Sequence, residues 1–288
     1  RRASATRTSI MKEKTMRQQH FNTGKTTLTS DQLRAVAPSV FAERPYHAVS
    51  ERYRFIPTSA VLDRLMSNGW EVKQAMEQRV RLVDKRGFTK HRVVLEQAGA
   101  KPINKIGDAM PRILLTNSHD RGSSYIVEAG LFRMVCANGL IVSDGDFGKI
   151  RVQHSGAVNI ADRVLEGTYA VVNDMQQIVA RAEELQGVSL NRDEQMAYAE
   201  AALALRWDGA APVTAEQLLL TRRREDQEGN LWTTYNKVQE NIIRGGLHGV
   251  KANGARQRTR GVNSINEDTR INRALWQLAE KMAELKAA

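Results

Sequence analysis

Polar and hydrophobic residues alternate along much of the first half of the chain, which is the period of a β-strand. Two such runs, rich in valine and arginine, flank Gly87 within residues 79–96 and predict a β-hairpin. Before them, helical spacing from Ala60 to Met66 ends at an Asn-Gly pair, which predicts a short helix. Further strands are predicted downstream, at Ile113–Thr116, Tyr125–Glu128, Phe132–Val135, Leu140–Val142 and Ile150–Gln153.

From Ile160 onward, the hydrophobic period changes to three and four residues, which is the period of an α-helix. The first predicted helix is long and amphipathic, with an apolar stripe formed by Val164, Val171, Met175, Ile178, Ala182 and Leu185. A second helix begins where Asn191 and Glu194 have the spacing of a capping box. A third is predicted to end at Gly245 and Gly246, and a final amphipathic helix follows near the end of the sequence.

Together these patterns predict an α+β fold, with a β-rich N-terminal half that includes a basic β-hairpin and a helical C-terminal half. We expect residues 1–45 to form a basic flexible arm and residues 46–156 to form a β-rich core domain. Residues 157–288 are expected to form a helical region packed on that core, with a Gly/Arg loop at 245–264. A chain of 288 residues with 41% hydrophobic content is long enough for such cores.

The positive charge is unevenly distributed along the chain. The net charge is +11, yet residues 1–156 hold 26 lysines and arginines against 14 acids, and residues 157–243 hold 8 against 14. Residues 244–288 are basic again, with 9 against 4. A positive field concentrated at particular places, rather than spread over the surface, indicates a polyanionic partner.

The predicted hairpin carries six basic residues against one acid, Asp84, within fourteen positions. Because residues two apart on a strand share a face, its first arginines should point away from Val80 and Leu82. The resulting strip of cations on one sheet face would consist of Arg79, Arg81, Lys85, Arg86, Lys90 and Arg92, extended by Lys149 and Arg151. The alternative is an ordinary solvated sheet face, since surface strands often carry lysine and arginine.

A second basic segment follows the third C-terminal helix, where "GGLHGVKANGARQRTRG" combines glycines with cations and contains no acid. The glycines allow the backbone to approach a ligand closely, and the segment is too polar to build a core, so we expect it to be mobile until phosphates order it. Its candidate phosphate-binding residues are Arg244, Lys251, Arg256, Arg258 and Arg260. A flexible linker with incidental charge is the alternative.

Several other classes of protein are disfavoured. No run approaches the ~18 apolar residues of a membrane helix, so we expect no membrane partner and a cytoplasmic location. The single cysteine, Cys136, excludes an internal disulfide, and "NTGKTT" at 22–27 lacks the first glycine of a phosphate-binding loop. We therefore expect no cofactor and no catalytic residues, and aromatic residues at 6% do not suggest a base-stacking platform.

One metal-based alternative stays open. The side chains of His119, Asp120, Asp144 and Asp146 could gather around a divalent cation, as in a nuclease. The same two segments are also typical of turns, because turns favour asparagine, serine, aspartate and glycine.

Three stretches resemble a phage/plasmid-like family known as domain of unknown function 932. These stretches are "TNSHDRGSSYIVEAGLFRMVCANGL", "LWTTYNKVQENIIRGG" and "INRALWQLAEKM". The resemblance implies a home in phages, plasmids and integrated elements, but no established activity. It also implies that certain polar residues belong to family motifs, namely Asn117, His119, Asp120, Asn138, Gln239, Glu240, Asn241 and Arg244.

The charge distribution leads to the hypothesis of a non-enzymatic protein of a mobile element that grips the DNA backbone, with single-stranded DNA favoured. A single-strand annealing or recombination protein, assembled as a homo-oligomer, is the more specific form of this hypothesis. One alternative is an interaction protein that inhibits a host defence or recombination enzyme through the acidic helices from 160 to 243. Another is the metal-dependent nuclease described above.

Overall fold

The computed structural model describes residues 26–103, 108–133, 139–141, 148–154 and 160–287. They divide into two compact units. The first comprises the described parts of 1–100, 112–127 and 150–169, and the second comprises those of 101–111, 128–149 and 170–288. No helix in these ranges is both long and apolar enough to span a membrane.

The first unit opens with helices. Helix α1 spans Ser30–Val36, a 3-10 turn spans Pro38–Phe41, and helix α2 spans Thr58–Met66. Helix α2 is followed by Gly69 with φ of 83°, a backbone conformation that glycine adopts without strain. The predicted end of this helix is therefore confirmed.

Six strands of the described residues form one sheet. They are β1 (Trp70–Glu77), β2 (His91–Gln97), β3 (Ala109–Asn117), β4 (Tyr125–Arg133), β5 (Gly139–Ile141) and β6 (Lys149–Val152). The order is β1-β2-β3-β4-β5, and β6 pairs with β4. Strand β2 lies antiparallel to β1 on one side and to β3 on the other. The first five residues of β2 are all buried, so both faces of this strand are covered.

The predicted hairpin is confirmed, but its first strand lies earlier in the chain than predicted. Strand β1 ends at Glu77, and the residues from 78 to 90, here called the basic loop, connect it to β2 through a 3-10 turn at Val83–Lys85. The prediction of strand structure from Arg79 onward is therefore wrong. Leu82 alternates with arginines as on a strand, but it faces solvent rather than a core.

The other predicted strands are found, with one difference. Ile113–Thr116 lies within β3. The strand predicted at Tyr125–Glu128 and the start of the strand predicted at Phe132–Val135 belong to one continuous strand, β4, which the structure describes as far as Arg133. The residues between them did not break the strand because Ala129 and Leu131 are buried within it.

The second unit is built mainly from helices. They are α3 (Ile160–Gly187), which begins in the first unit, α4 (Arg192–Arg206), α5 (Ala215–Leu218), α6 (Leu231–Arg244) and α7 (Ile265–Ala287). The capping box of Asn191 and Glu194 is confirmed at the start of α4. The β-rich and helical halves predicted from the sequence are thus both present.

Helix α6 lies at the centre of the second unit. Every residue from Leu231 to Ile242 is buried. The Tyr235 ring meets the Trp276 ring of α7 edge-on, with 6.1 Å between centroids. Helix α4 is tied to α7 where the Tyr198 hydroxyl donates to the Leu275 carbonyl at 2.9 Å. Helices α4, α6 and α7 therefore share one core.

The Gly/Arg segment after α6 is a short antiparallel β-hairpin rather than an unstructured stretch. Strands β7 (His248–Val250) and β8 (Arg256–Arg258) pair in register, with His248 opposite Arg258 and Val250 opposite Arg256. We call residues 248–258 the C-terminal ribbon. The sequence predicts an extended segment that a ligand would order; the structure shows it as a paired ribbon with the backbone contacts described below.

Candidate functional site

The predicted cations of the first unit do not line one face of the sheet. Arg79, Arg81 and Arg86 lie on the basic loop and are exposed. The Lys85 ammonium is 3.5 Å from the Asp120 carboxylate and lies over the Tyr46 ring, 5.4 Å from its centroid. The basic loop therefore presents its charge through arginines, while Lys85 is partly neutralised.

The cations predicted on the strands are less available. The Arg92 side chain is only 3% exposed, and its Nε donates to Thr116 Oγ1 at 3.0 Å. Lys90 is half-buried, and burial lowers the pKa of its ammonium. Arg151 is exposed and donates through Nε to Ser124 Oγ at 2.7 Å, and Lys149 is partly exposed. The predicted strip of cations is thus divided between a loop, a covered strand and strand β6.

The C-terminal ribbon has one exposed, basic face. Alternation along its strands places His248, Val250, Arg256 and Arg258 on the same face, and all four are exposed. The Arg258 guanidinium donates to His248 Nε2 at 3.3 Å, which requires that nitrogen to be unprotonated. Two further exposed cations flank this face, Lys251 in the turn and Arg260 just beyond β8.

Away from its exposed face, the ribbon contacts α5 and the segment before it. Val250 N donates to the Pro212 carbonyl at 2.8 Å, and the Gln217 side chain donates to the His248 carbonyl at 2.7 Å. A Cβ atom on Gly249 would lie 2.4 Å from the Pro212 oxygen, so only glycine allows this approach. These contacts fix which face of the ribbon points to solvent.

The ribbon is also tied to the end of α6. Gly245 ends that helix with φ of 62°, and a Cβ there would lie 2.6 Å from the Arg260 carbonyl carbon. Gly246 N donates to the Thr259 carbonyl at 2.8 Å, and Thr259 N donates to the Leu247 carbonyl at 2.9 Å. Gly245 therefore lets the chain leave the helix and pass close against residues 259–261, which follow β8.

Glu240, an acidic residue of the same motif, joins two arginines. It is 3% exposed and accepts from Arg244 at 2.6 Å and from Arg223 at 2.8 Å. Burial acts to raise the pKa of Glu240, but the hydrogen bonds from both arginines outweigh it and lower the pKa below its ordinary value. Arg244, predicted to contact phosphate, therefore already has an internal carboxylate partner.

Asn241 fixes the loop that precedes α6. Its side-chain NH2 donates to the carbonyls of Leu218 and Leu220, each at 2.8 Å. Its side-chain oxygen accepts from Arg222 Nε at 2.5 Å, and Arg222 also donates to the Gly245 carbonyl at 2.6 Å. The motif residues Glu240 and Asn241 are thus anchors for the root of the ribbon.

Sequence reasoning missed several residues that shape this surface. Pro212 and Gln217 contact the ribbon, Arg222 and Arg223 bind the motif residues, and His248 lies on the exposed face. The arginine run at 222–224 was the one signal in the sequence, whereas the contact with Pro212 is between backbone groups and leaves no side-chain pattern.

The motif residues of the first unit form a buried polar cluster. Asn117 Nδ2 donates to Thr58 Oγ1 at 3.1 Å, and its Oδ1 lies 2.8 Å from His154 Nε2. Thr58 Oγ1 also lies 2.8 Å from His91 Nε2 and 3.2 Å from His119 Nε2. One threonine hydroxyl therefore links two histidines and an asparagine.

The hydrogen bonds of this cluster determine which ring nitrogens of His91 and His119 carry protons. His91 Nδ1 donates to the Thr89 carbonyl at 2.9 Å, so its Nε2 accepts the Thr58 proton when the ring is neutral. His119 Nε2 then donates to Thr58, which leaves His119 Nδ1 buried without a hydrogen-bond partner. Burial lowers the pKa of His91 to about 4, and burial with the neighbouring His91 and His154 lowers the pKa of His119 to about 3. Both rings are neutral near pH 7.

His119 is buried in the core, and the residues that follow it form a turn. Asp120 Oδ1 accepts from Gly122 N at 2.9 Å, and Arg121 has φ of 68°. Across the residues that the structure describes, no three histidine, cysteine, aspartate or glutamate side chains are grouped as metal ligands. Four residues named in the sequence analysis lie outside the described residues: the metal candidates Asp144 and Asp146, the single cysteine Cys136, and Asn138.

Comparison with known proteins identifies the family. The family described as "Domain of unknown function (DUF932)" matches residues 45–276, so the chain belongs to that family. Two relatives from Escherichia coli (strain K12) are the UPF0380 proteins YafZ and YfjQ. Each is 41% identical over 256 residues, which cover 88% of this chain and 91% of the relative. No solved structure matches.

Proposed function

We propose that this protein binds nucleic acid through its sugar-phosphate backbone, with the exposed face of the C-terminal ribbon as the principal contact. The observation that carries the proposal is an exposed group of cations, Lys251, Arg256, Arg258 and Arg260, on or beside a ribbon whose backbone is hydrogen-bonded to Pro212 and Gln217. The chain contains no acidic residue from 247 to 266, so no neighbouring carboxylate in that segment offsets their charge.

The chemistry of this face favours phosphates over bases. The ribbon carries no phenylalanine, tyrosine or tryptophan on which a base could stack. Each arginine that neutralises a phosphate releases counterions, which gives affinity with little dependence on base sequence and a steep dependence on salt. A strand held by its backbone leaves its base edges available for pairing. This is the property that a single-strand annealing protein requires, and we favour single-stranded DNA as the ligand for that reason.

Pre-organisation strengthens the proposal. The hydrogen bonds from Val250 to Pro212 and from Gly246 to Thr259 form without a ligand and favour a preformed ribbon. Binding then does not have to order the backbone of the segment, so less conformational entropy opposes it.

The test is a salt titration of binding to a fluorescently labelled single-stranded oligonucleotide, followed by anisotropy. Replacing both Arg256 and Arg258 with glutamine should weaken binding and reduce the slope of log K against log salt by about 1.4, since each single-strand phosphate contact contributes about 0.7. The matched control replaces Arg181 and Lys281, two exposed cations on helices of the same unit, with glutamine. The control removes the same net charge and should leave the slope unchanged.

Two results would contradict the proposal. One is the absence of salt-dependent binding by the wild-type chain. The other is an equal loss of slope in the ribbon variant and the control, because binding would then follow net charge rather than this surface. Light scattering of the same samples with and without oligonucleotide tests the accompanying proposal that the protein assembles as a homo-oligomer.

A further inference from the structure

Two exposed aliphatic side chains lie at the tip of the basic loop of the first unit. Leu82 is 60% exposed and Val83 is 69% exposed, and both belong to the most exposed large apolar side chains of the described residues. Single exposed apolar residues are common on protein surfaces, but two adjoining ones at the tip of a loop are less so. Their position therefore calls for a physical explanation.

The tip is held in this exposed position. Gln78 N donates to the Lys90 carbonyl at 2.7 Å and closes the base of the basic loop. Beyond the tip, Asp84 accepts from the hydroxyl of the buried Tyr46 at 2.7 Å. Because Asp84 is fixed to the body of the unit, the two preceding side chains do not fold back onto it.

Positive charge surrounds the apolar tip. Arg79, Arg81 and Arg86 are exposed on the same loop, and its single carboxylate, that of Asp84, already binds Tyr46. The loop therefore combines a small apolar surface with guanidinium groups around it. A partner that complements this loop must present anions at the edge of its binding surface and apolar groups between them.

Nucleic acid has this arrangement, because phosphates border a stack of base faces. Aliphatic side chains on other proteins insert between bases and unstack them while basic residues hold the flanking phosphates. Membrane-surface segments instead present a wide apolar face along a helix. Here the apolar surface is two adjacent side chains on a 3-10 turn, which matches the gap between two bases better than the interior of a bilayer.

We infer that Leu82 and Val83 form a wedge that inserts between neighbouring bases of the bound nucleic acid, while the arginines of the basic loop hold the adjoining phosphates. The inference rests on the proposed function, since it requires nucleic acid to be bound.

The experiment uses the full chain and single-stranded oligonucleotides that carry 2-aminopurine, whose fluorescence increases when it is unstacked. The wild-type protein should increase the fluorescence at least twofold at some positions of the probe. Replacing Leu82 and Val83 with serine should abolish this increase and change affinity, measured by anisotropy on the same probes, by less than about threefold, because the phosphate contacts remain. Leu285→Ser is the matched control, since Leu285 is 65% exposed on α7. It should leave both signals unchanged.

The outcomes separate the two proposals. Binding by the wild-type chain without any change in 2-aminopurine fluorescence overturns the wedge and leaves the proposed function standing. Absence of binding overturns both. If the serine variant keeps the fluorescence increase, the wedge is also overturned, provided that circular dichroism shows a folded variant. Co-sedimentation with anionic lipid vesicles that depends on Leu82 and Val83, without base unstacking, would assign the tip to a membrane surface instead and overturn the wedge.

Discussion

Acid should destabilise this protein through the buried histidines of its first unit. His91 and His119 are completely buried and take part in a hydrogen-bond cluster that requires neutral rings. In the unfolded chain each ring would titrate near pH 6.5. Between pH 7.5 and pH 5 the unfolded state therefore takes up protons that the folded state excludes, and stability falls as the pH falls.

The magnitude follows from the shifted pKa values. With folded-state pKa values of about 4 for His91 and about 3 for His119, both rings stay almost entirely neutral in the folded protein at pH 5. Linkage then gives a loss of about 2 kcal/mol per histidine between pH 7.5 and pH 5, so about 4 kcal/mol for the pair. The stabilising contribution is fully present above pH 6.5 and decreases below it. Burial also lowers the pKa of His154, which adds in the same direction.

Urea unfolding followed by circular dichroism at pH 7.5 and pH 5 measures this loss. In the variant His119→Gln, the difference between the two pH values should shrink by about 2 kcal/mol, whatever the variant costs at neutral pH. His47→Gln, which changes an exposed histidine of the same unit, should leave the difference as in the wild type. A wild-type free energy of unfolding that is equal at both pH values would refute the reasoning, as would an equal effect of the two substitutions.

Three further substitutions test the supports of the C-terminal ribbon and of the helical unit. Gly249→Ala places a methyl group against the Pro212 oxygen and should cost about 1–3 kcal/mol in thermal or urea unfolding, with weaker oligonucleotide binding as well. Glu240→Ala removes a buried carboxylate from two partly solvated arginines and should cost about 2 kcal/mol; unchanged stability would show that the ion pairs contribute nothing net. Asn191→Ala removes the N-cap of α4 and should cost about 1 kcal/mol in the same assay, whereas Asn191→Ser should restore most of it.

The helical half was predictable because the spacing of apolar residues reports one-sided burial directly. All six residues of the predicted stripe on α3, from Val164 to Leu185, are buried. The capping box at Asn191 and Glu194 is a local interaction between residues three apart. It could therefore be predicted from the sequence without knowledge of the tertiary structure.

The hairpin was placed incorrectly because burial in the sheet does not follow simple alternation. A register shift between Val72 and Gln74 disturbs the period of β1, and Lys73 is buried against the Glu71 carboxylate at 2.7 Å. This strand therefore lacked a recognisable pattern, whereas the basic loop had one by coincidence. Arg92 was assigned to an outward face for a related reason, since β2 is covered on both sides and has no outward face there.

The C-terminal ribbon was predicted as a binding segment but not as an ordered one. Its composition lacks the apolar residues that would stabilise it locally, and this part of the reasoning holds. Its order comes from backbone groups of Pro212 and Thr259, which composition does not reveal. Gly245, Gly249 and Gly261 reflect close approach of main chains, whereas Gly246 and Gly254 have positive φ in open space.

The complete burial of α6 has a consequence for how the protein loses its binding surface. The residues that position the root of the ribbon, Glu240 and Asn241, lie on a helix whose side chains are enclosed from Leu231 to Ile242. Local unfolding of such a helix has a high free-energy cost, because it exposes the core shared with α4 and α7. On heating, the ability to hold a ligand and the cooperative melting of the helical unit should therefore disappear at the same temperature.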